Sequence, residues 1–279
     1  MASRLNRRLD FGRPGSSRGD NAGEQHVCGV ESAGCPPGDG HGRQSPASSA
    51  VCEVTLAPMR IVDLTVAIGP GTLSPPSVNM PLKLTSRFRG PGYWRASSVE
   101  MLLHTGSHVD FSTHVKVDGE TADGVPLERF SGDAVVLNVG PCAPCHGIGV
   151  ADLERCAPEI HPGDIVLVRT DWTDRMWGRF PEYYLTSPYC TPEAARWMIA
   201  KQPKAIGFDC FSEYSARLPD FTSEDFVIHK IILEAGIYYF QQMTNLGALP
   251  TNRRFVLFAP CLKMRDAEGS PARFFALLD

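Results

Sequence analysis

Short apolar runs separated by helix-like stretches constrain this chain more than any other feature. Asp133–Val139, Asp164–Arg169 and Ala205–Asp209 are too short for buried helices and read as strands. Ile61–Ile68 alternates well enough for a first strand, and the Gly69-Pro70-Gly71 turn stops it. Ser97–His104 reads as a strand, with Val99, Met101 and Leu103 on one side, and Tyr238–Gln241 and Arg254–Ala259 as late strands. Helices are expected at Thr191–Lys201, where Thr191 caps and Pro192 opens the first turn, and at Ser223–Ala235. In the second, Ser223 is the expected cap and Gly236 stands just past the end. Strands interleaved with helices predict a mixed α/β domain with no internal repeat.

That domain begins at Met59, where MRIVDLT opens folded-looking sequence abruptly. From Arg13 to Ala50 the chain is rich in Gly, Ser, Pro and Arg, without the apolar periodicity a core requires. Residues 1–58 are therefore read as a disordered leader, an organellar transit peptide, or sequence before a true start at Met59. No apolar h-region follows the first arginines, which argues against a secretory signal. In each reading they are dispensable and residues 59–279 form one domain.

A hydrophobic fraction of 43% and a net charge of −4 are ordinary for a soluble protein. No stripe of Lys or Arg suits nucleic acid, and Ile165–Val168 and Phe255–Ala259 are far too short to cross a bilayer. The nine cysteines are odd in number and irregularly spaced, unlike a disulfide framework. Cys142 and Cys145 form a lone CxxC without a partner pair, so they read as loop cysteines in a reducing cytoplasm. His146 and His161 read as ordinary surface or core histidines without a site role.

The chemistry concentrates in His104-Thr-Gly-Ser-His108-Val-Asp110-Phe-Ser-Thr-His114. Three of the eight histidines and an aspartate fall in this one segment. Divalent transition metals take neutral imidazole and carboxylate ligands converging from a rigid support. A turn at Gly106 can fold His108 and Asp110 back toward His104.

HTGSHVDFSTH resembles the HxGTHxDxPxH signature of the cyclase family of metal hydrolases, which includes bacterial kynurenine formamidase and isatin hydrolase. DLTVAIGPGT, VRTDW, IGFDCFSEYS, HKIILEAGIYYFQQMTNL and APCLKMRDAEGSPARFFAL resemble further blocks of the family in the same order. The resemblance implies a swivelling β/β/α-type domain in a dimer or tetramer, and a small-molecule substrate. It also implies that His104, His108 and Asp110 hold a divalent metal, Zn or Mn. His114 matches a histidine placed beside the metal for proton transfer. His229 matches one that binds a second ion in two-metal members.

Two departures stand out. Phe111 and Ser112 replace a small residue and Pro, which makes a bulkier pocket wall. Gln241 stands where a glutamate is common, and a neutral amide weakens a second metal position. One metal per chain is therefore expected, with Gln241 a ligand or a donor to substrate. His114 or His229 would carry the proton. Ser107, Asp209 and Ser212 are candidates to orient the histidines, and Phe111, Trp94 and Ser212 to contact substrate. The expected reaction is hydrolysis of an aryl formamide or cyclic amide. A lactone or ester hydrolase of the same family and a non-catalytic metal-binding relative remain the alternatives.

Overall fold

The structure, a computed structural model, describes residues 59–156 and 158–278. The leader assigned to residues 1–58 lies outside them, as do Cys28, Cys35 and Cys52. In chain order the strands are β1 (Arg60–Asp63), β2 (Lys83–Arg89), β3 (Trp94–Glu100), β4 (His108–Asp110) and β5 (Ser131–Asn138). There follow β6 (Gly147–Ile148), β7 (Ile165–Arg169), β8 (Tyr189–Cys190), β9 (Ala205–Phe208) and β10 (Tyr238–Gln241). The C-terminal strands are β11 (Phe255–Phe258), β12 (Gly269–Pro271) and β13 (Phe275–Leu278). The helices are α1 (Val150–Glu154), α2 (Trp172–Met176), α3 (Glu182–Leu185), α4 (Pro192–Ile199) and α5 (Val227–Glu234).

Nine strands form one mixed sheet in the order β1-β13-β11-β5-β7-β9-β10-β4-β12. Its centre, β5-β7-β9-β10, is parallel, and the strands on either side pair antiparallel. Parallel strands covered on both faces need nearly continuous apolar sequence, as IVLV and AIGF supply. The period of two divides them between two cores. Ala134, Val136, Ile165, Leu167 and Phe240 join one with Leu257, Phe274 and Ala276 from the C-terminal part of the chain. Val135, Leu137, Val166, Val168 and Phe208 join the other with Met198 of α4 and Ile232 of α5. Val62 of β1 and Val109 of β4 share the first core, so the mixed sheet curls around it.

The strands expected from Asp133, Asp164, Ala205, Tyr238 and Arg254 all form, within two residues of their expected limits. Thr191 caps α4 by accepting from the Ala194 N–H. Three expectations need correction. The first strand stops at Asp63, and Thr65 keeps only an isolated bridge to Met243. The strand expected over Ser97–His104 stops at Glu100, because its partner β2 begins at Lys83 and the Leu82 N–H turns to the Thr72 carbonyl. The helix expected over Ser223–Ala235 is two pieces, a 3-10 turn at Ser223–Asp225 and α5. Thr222, not Ser223, caps the first piece with Asp225, and Phe226 at ψ 60° separates the two.

All the cysteines among the described residues are free, Cys142 and Cys145 included. No helix among them is long and apolar enough to cross a membrane.

Candidate metal centre

β4 lies between β10 and β12. Its period of two sends His108 and Asp110 to one face and Val109 into the core. β10 sets Gln241 directly across from His108, and Tyr239 across from Asp110. His104 arrives from the turn before β4, where Gly106 takes φ +74°. A Cβ at that glycine would fall 2.4 Å from Ile68 Cγ2, so both backbone and space demand glycine. His114 closes the 3-10 turn Ser112–His114, and His229 enters from the start of α5.

Asp110, fully buried, is the hub. Its Oδ1 lies 2.7 Å from His104 Nδ1 and 3.2 Å from His108 Nε2, and its Oδ2 lies 3.5 Å from His229 Nε2. The opposite nitrogen of each ring faces an acceptor. For His104 Nε2 it is Glu268 Oε1 at 3.2 Å, for His108 Nδ1 the Gly106 carbonyl at 2.7 Å, and for His229 Nδ1 Glu213 Oε1 at 3.0 Å. A carbonyl or carboxylate there takes the N–H and leaves the inner nitrogen of each ring able to offer a lone pair to a cation beside Asp110. Outer acceptors with inward lone pairs are what metal-bound imidazoles require.

The same arrangement tests whether a metal fits. Asp110 Oδ2 is buried without a hydrogen-bond partner among the described residues, and a buried carboxylate oxygen in that position calls for a cation. Ligand atoms of His104, His108 and Asp110 all lie within 4.8 Å of one another. Two imidazoles and a carboxylate are a donor set for a divalent ion, and the residues fit one.

With no ion, protons take up the attraction. Burial disfavours the His104 imidazolium, but Asp110 and Glu268 outweigh it and raise the group to about 9. His229 is likewise raised to about 9 against burial, by Asp110 and Glu213. Burial opposes the charge of Asp110, yet His108 and His104 hold it well below the usual carboxylate range. The hydrogen bond from His104 lowers Glu268 to about 2.

His114 is of another kind. It stacks on His104 with ring centroids 4.3 Å apart, and neither ring nitrogen has a hydrogen-bond partner among the described residues. Burial pushes it down to about 4; Asp110 pulls the other way, and His104 and His229 add to the fall. Three imidazoles point one nitrogen at Asp110 and the other at an outer acceptor; among the described residues His114 does neither.

These groups wall a cavity of about 250 Å³. His104, His108, His114, His229, Gln241 and Glu268 line it with Pro75, Val78, Leu102, Phe211 and Phe226. Phe111 does not reach it. As the residue after Asp110 it follows Val109 to the core face, edge-on to Phe130 and Tyr238. Trp94 stands half-exposed on the β2–β3 hairpin beneath Arg89. Ser212 sits behind Gln241, its hydroxyl 3.3 Å from Gln241 Nε2 and bonded to the Tyr239 hydroxyl. Ser107 and Asp209 orient backbone rather than histidines. Ser107 donates to the Gln242 carbonyl, and Asp209 accepts the N–H groups of Thr170 and Asp171.

Sequence reasoning missed Glu213, Glu268, Phe211 and Phe226. Glu213 also accepts the N–H groups of Ile228 and His229, so a residue from another segment caps α5. The only signal was position: Glu213 lies in IGFDCFSEYS and Glu268 directly before GSPAR, two of the blocks that carry the resemblance.

Gly269 offers a direct check on His104. It pairs with Asp110 across β12, and a Cβ on it would sit 2.6 Å from His104 Cε1 and 3.0 Å from Nδ1. Gly269→Ala is expected to swing the ring off Asp110 and weaken metal binding by about 10-fold or more. Competition against a chromophoric chelator measures this, and unchanged affinity would contradict the placement of the ring.

Comparison with known proteins points the same way. The Cyclase family model matches residues 62–213, more than half of the chain. Kynurenine formamidase of Salinibacter ruber is 32% identical over 185 residues, covering 63% of this chain and 76% of that protein. Isatin hydrolase of Roseibium aggregatum is 25% identical over 259 residues, covering 84% of this chain and 98% of that protein. Among solved structures, isatin hydrolase A from Labrenzia aggregata bound to benzyl benzoate matches with a TM-score of 0.66 at 28% identity. That alignment covers 79% of this chain and 94% of the other.

Proposed function

Because the chain belongs to the Cyclase family of metal-dependent hydrolases, we propose that it cleaves an amide bond of a small aryl formamide or cyclic amide. The observation that carries this reading is the Asp110 carboxylate, buried among imidazoles beneath a cavity lined by Phe211 and Phe226. One relative is named for a formamide and the other for isatin, a cyclic amide fused to an aromatic ring.

His104, His108 and Asp110 would hold one divalent ion, Zn or Mn, with Gln241 beside it. Such an ion supplies a Lewis acid and brings hydroxide within reach near neutral pH. His114, uncommitted and neutral, accepts the proton of the attacking water at a ring nitrogen and returns it to the leaving nitrogen. His229, held at Nδ1 by Glu213 with Nε2 3.5 Å from Asp110, orients rather than shuttles. Phe211 and Phe226 pack a flat ring and keep bulk water from the scissile bond.

The test is a panel of formanilide, a cyclic aryl amide, an aryl ester and a lactone, assayed with Zn and with Mn. Metal-dependent turnover is expected to favour the amides by about 10-fold or more. Preference for the ester or lactone would reject the reading.

Gln241 decides the number of ions. Across from His108 and hydrogen-bonded to Ser212, it offers a neutral amide where a second ion needs an anion. One tight site per chain is expected, and Gln241→Glu should raise the capacity toward two. Calorimetric titration of both proteins checks this. Two tight sites in the unaltered protein, or identical titrations of the two, would contradict it.

A further inference from the structure

We infer that Glu268 makes the cavity selective for charge, so that it favours aryl amides bearing a cationic group and discriminates against those bearing a carboxylate. This rests on the amide-hydrolase reading above and adds a substrate class to it. No Lys or Arg is among the described residues that line the cavity, and Glu268 is the one acid among them. Asp110 lies beneath, wholly buried, its charge directed at His104, His108 and His229.

Glu268 is placed differently. Its Oε1 meets His104 Nε2 at 3.2 Å, while its side chain remains 40% exposed at the cavity wall. A carboxylate has about four acceptor positions, and His104 uses one. The residue is also fixed in place: its backbone carbonyl accepts the Phe111 N–H at 2.9 Å, and Gly269, next in the chain, pairs with Asp110.

A substrate ammonium entering this cavity would meet a fixed carboxylate and form a charge-assisted hydrogen bond. A substrate carboxylate set beside Glu268 would lose water, meet neither Lys nor Arg, and face a like charge. Rejection of the wrong charge and attraction of the right one therefore have the same source.

Three para-substituted formanilides isolate the effect: aminomethyl, methyl and carboxymethyl, the methylene separating each charge from the ring. With the zinc-loaded protein, kcat/KM is expected to be about 10-fold higher for the cation than for the neutral compound, and about 10-fold lower for the anion. Glu268→Gln keeps an amide oxygen for His104 and should lose this ranking, while Glu268→Asp should recover part of it. Calorimetric binding of the three corresponding anilines reads the same ranking without turnover. A binding ranking with no formanilide cleaved would keep the charge selection and reject the amide reading. Equal handling of the three compounds by the unaltered protein, or a ranking that survives in Glu268→Gln, would overturn the inference.

Discussion

Asp110→Asn is expected to strip the protein of its metal, with affinity falling by about 10²–10³-fold or more and hydrolysis falling with it. The carboxylate is fully buried and approaches three imidazoles, so nothing else in the site can replace its charge. Removing one member of a buried charge pair typically costs about 3–5 kcal/mol, which converts to that loss. Asparagine conserves volume but substitutes an N–H₂ donor for an acceptor oxygen, and a donor repels a cation.

The pH dependence of the metal-free protein carries the same signature. Asp110 and its partners raise His104 and His229 from 6.5 to about 9 in the folded chain. A raised folded value stabilises fully below the unfolded value, and that stabilisation is lost as pH rises through the folded one. Thermal stability of the metal-free protein should therefore decline between about pH 6.5 and about pH 9, and the decline should shrink in Asp110→Asn. Metal uptake runs the other way. An ion must displace the His104 proton, so affinity rises with pH over the same window and uptake releases protons. Thermal melts and calorimetry in buffers of different ionisation enthalpy measure both.

His114→Ala is expected to lower kcat by about 10²–10⁴-fold while leaving the metal in place. The structure motivates that separation. His104, His108 and His229 each lie between Asp110 and an outer acceptor, whereas His114 stacks on His104 and meets His229 edge-on, with neither nitrogen hydrogen-bonded among the described residues. Loss of the ring removes a proton carrier without opening the ligand set. Metal content measured on the inactive variant separates the roles. A metal-free His114→Ala protein would make it a ligand, and full activity would remove it from the reaction.

Much of this site was legible because it is local. His104, His108, Asp110 and His114 are crowded into a single segment, so spacing with a flanking glycine suggested a shared site, and the family resemblance assigned the roles within it. The central strands, though not their parallel order, were legible for a related reason: short runs such as IVLV suit a strand covered on both faces. What could not be read is whatever depends on contacts between distant segments. Glu213 and Glu268 matter because folding sets them against His229 and His104, and Glu268 is 164 residues from its partner. Phe111 misled because its neighbours are the ligands, yet strand alternation turns it away from them into the core. Trp94 misled because nearness in sequence said nothing about a hairpin that pairs only with itself. The helix at Ser223 was broken by Phe226 and restarted under the cap of Glu213, which no local pattern shows.

The account stands on a single metal held by His104, His108 and Asp110, and elemental analysis of purified protein tests that most directly. Unaltered protein should carry about one Zn or Mn per chain, as expected of a closed set of imidazole and carboxylate ligands. His108→Ala should retain about a tenth of that or less, since an incomplete shell binds far more weakly. His161→Ala, altering an exposed ring paired with Glu159, should match the unaltered protein. Equal metal in the unaltered and His108→Ala proteins, or undiminished amide hydrolysis after the metal is stripped, would contradict the account.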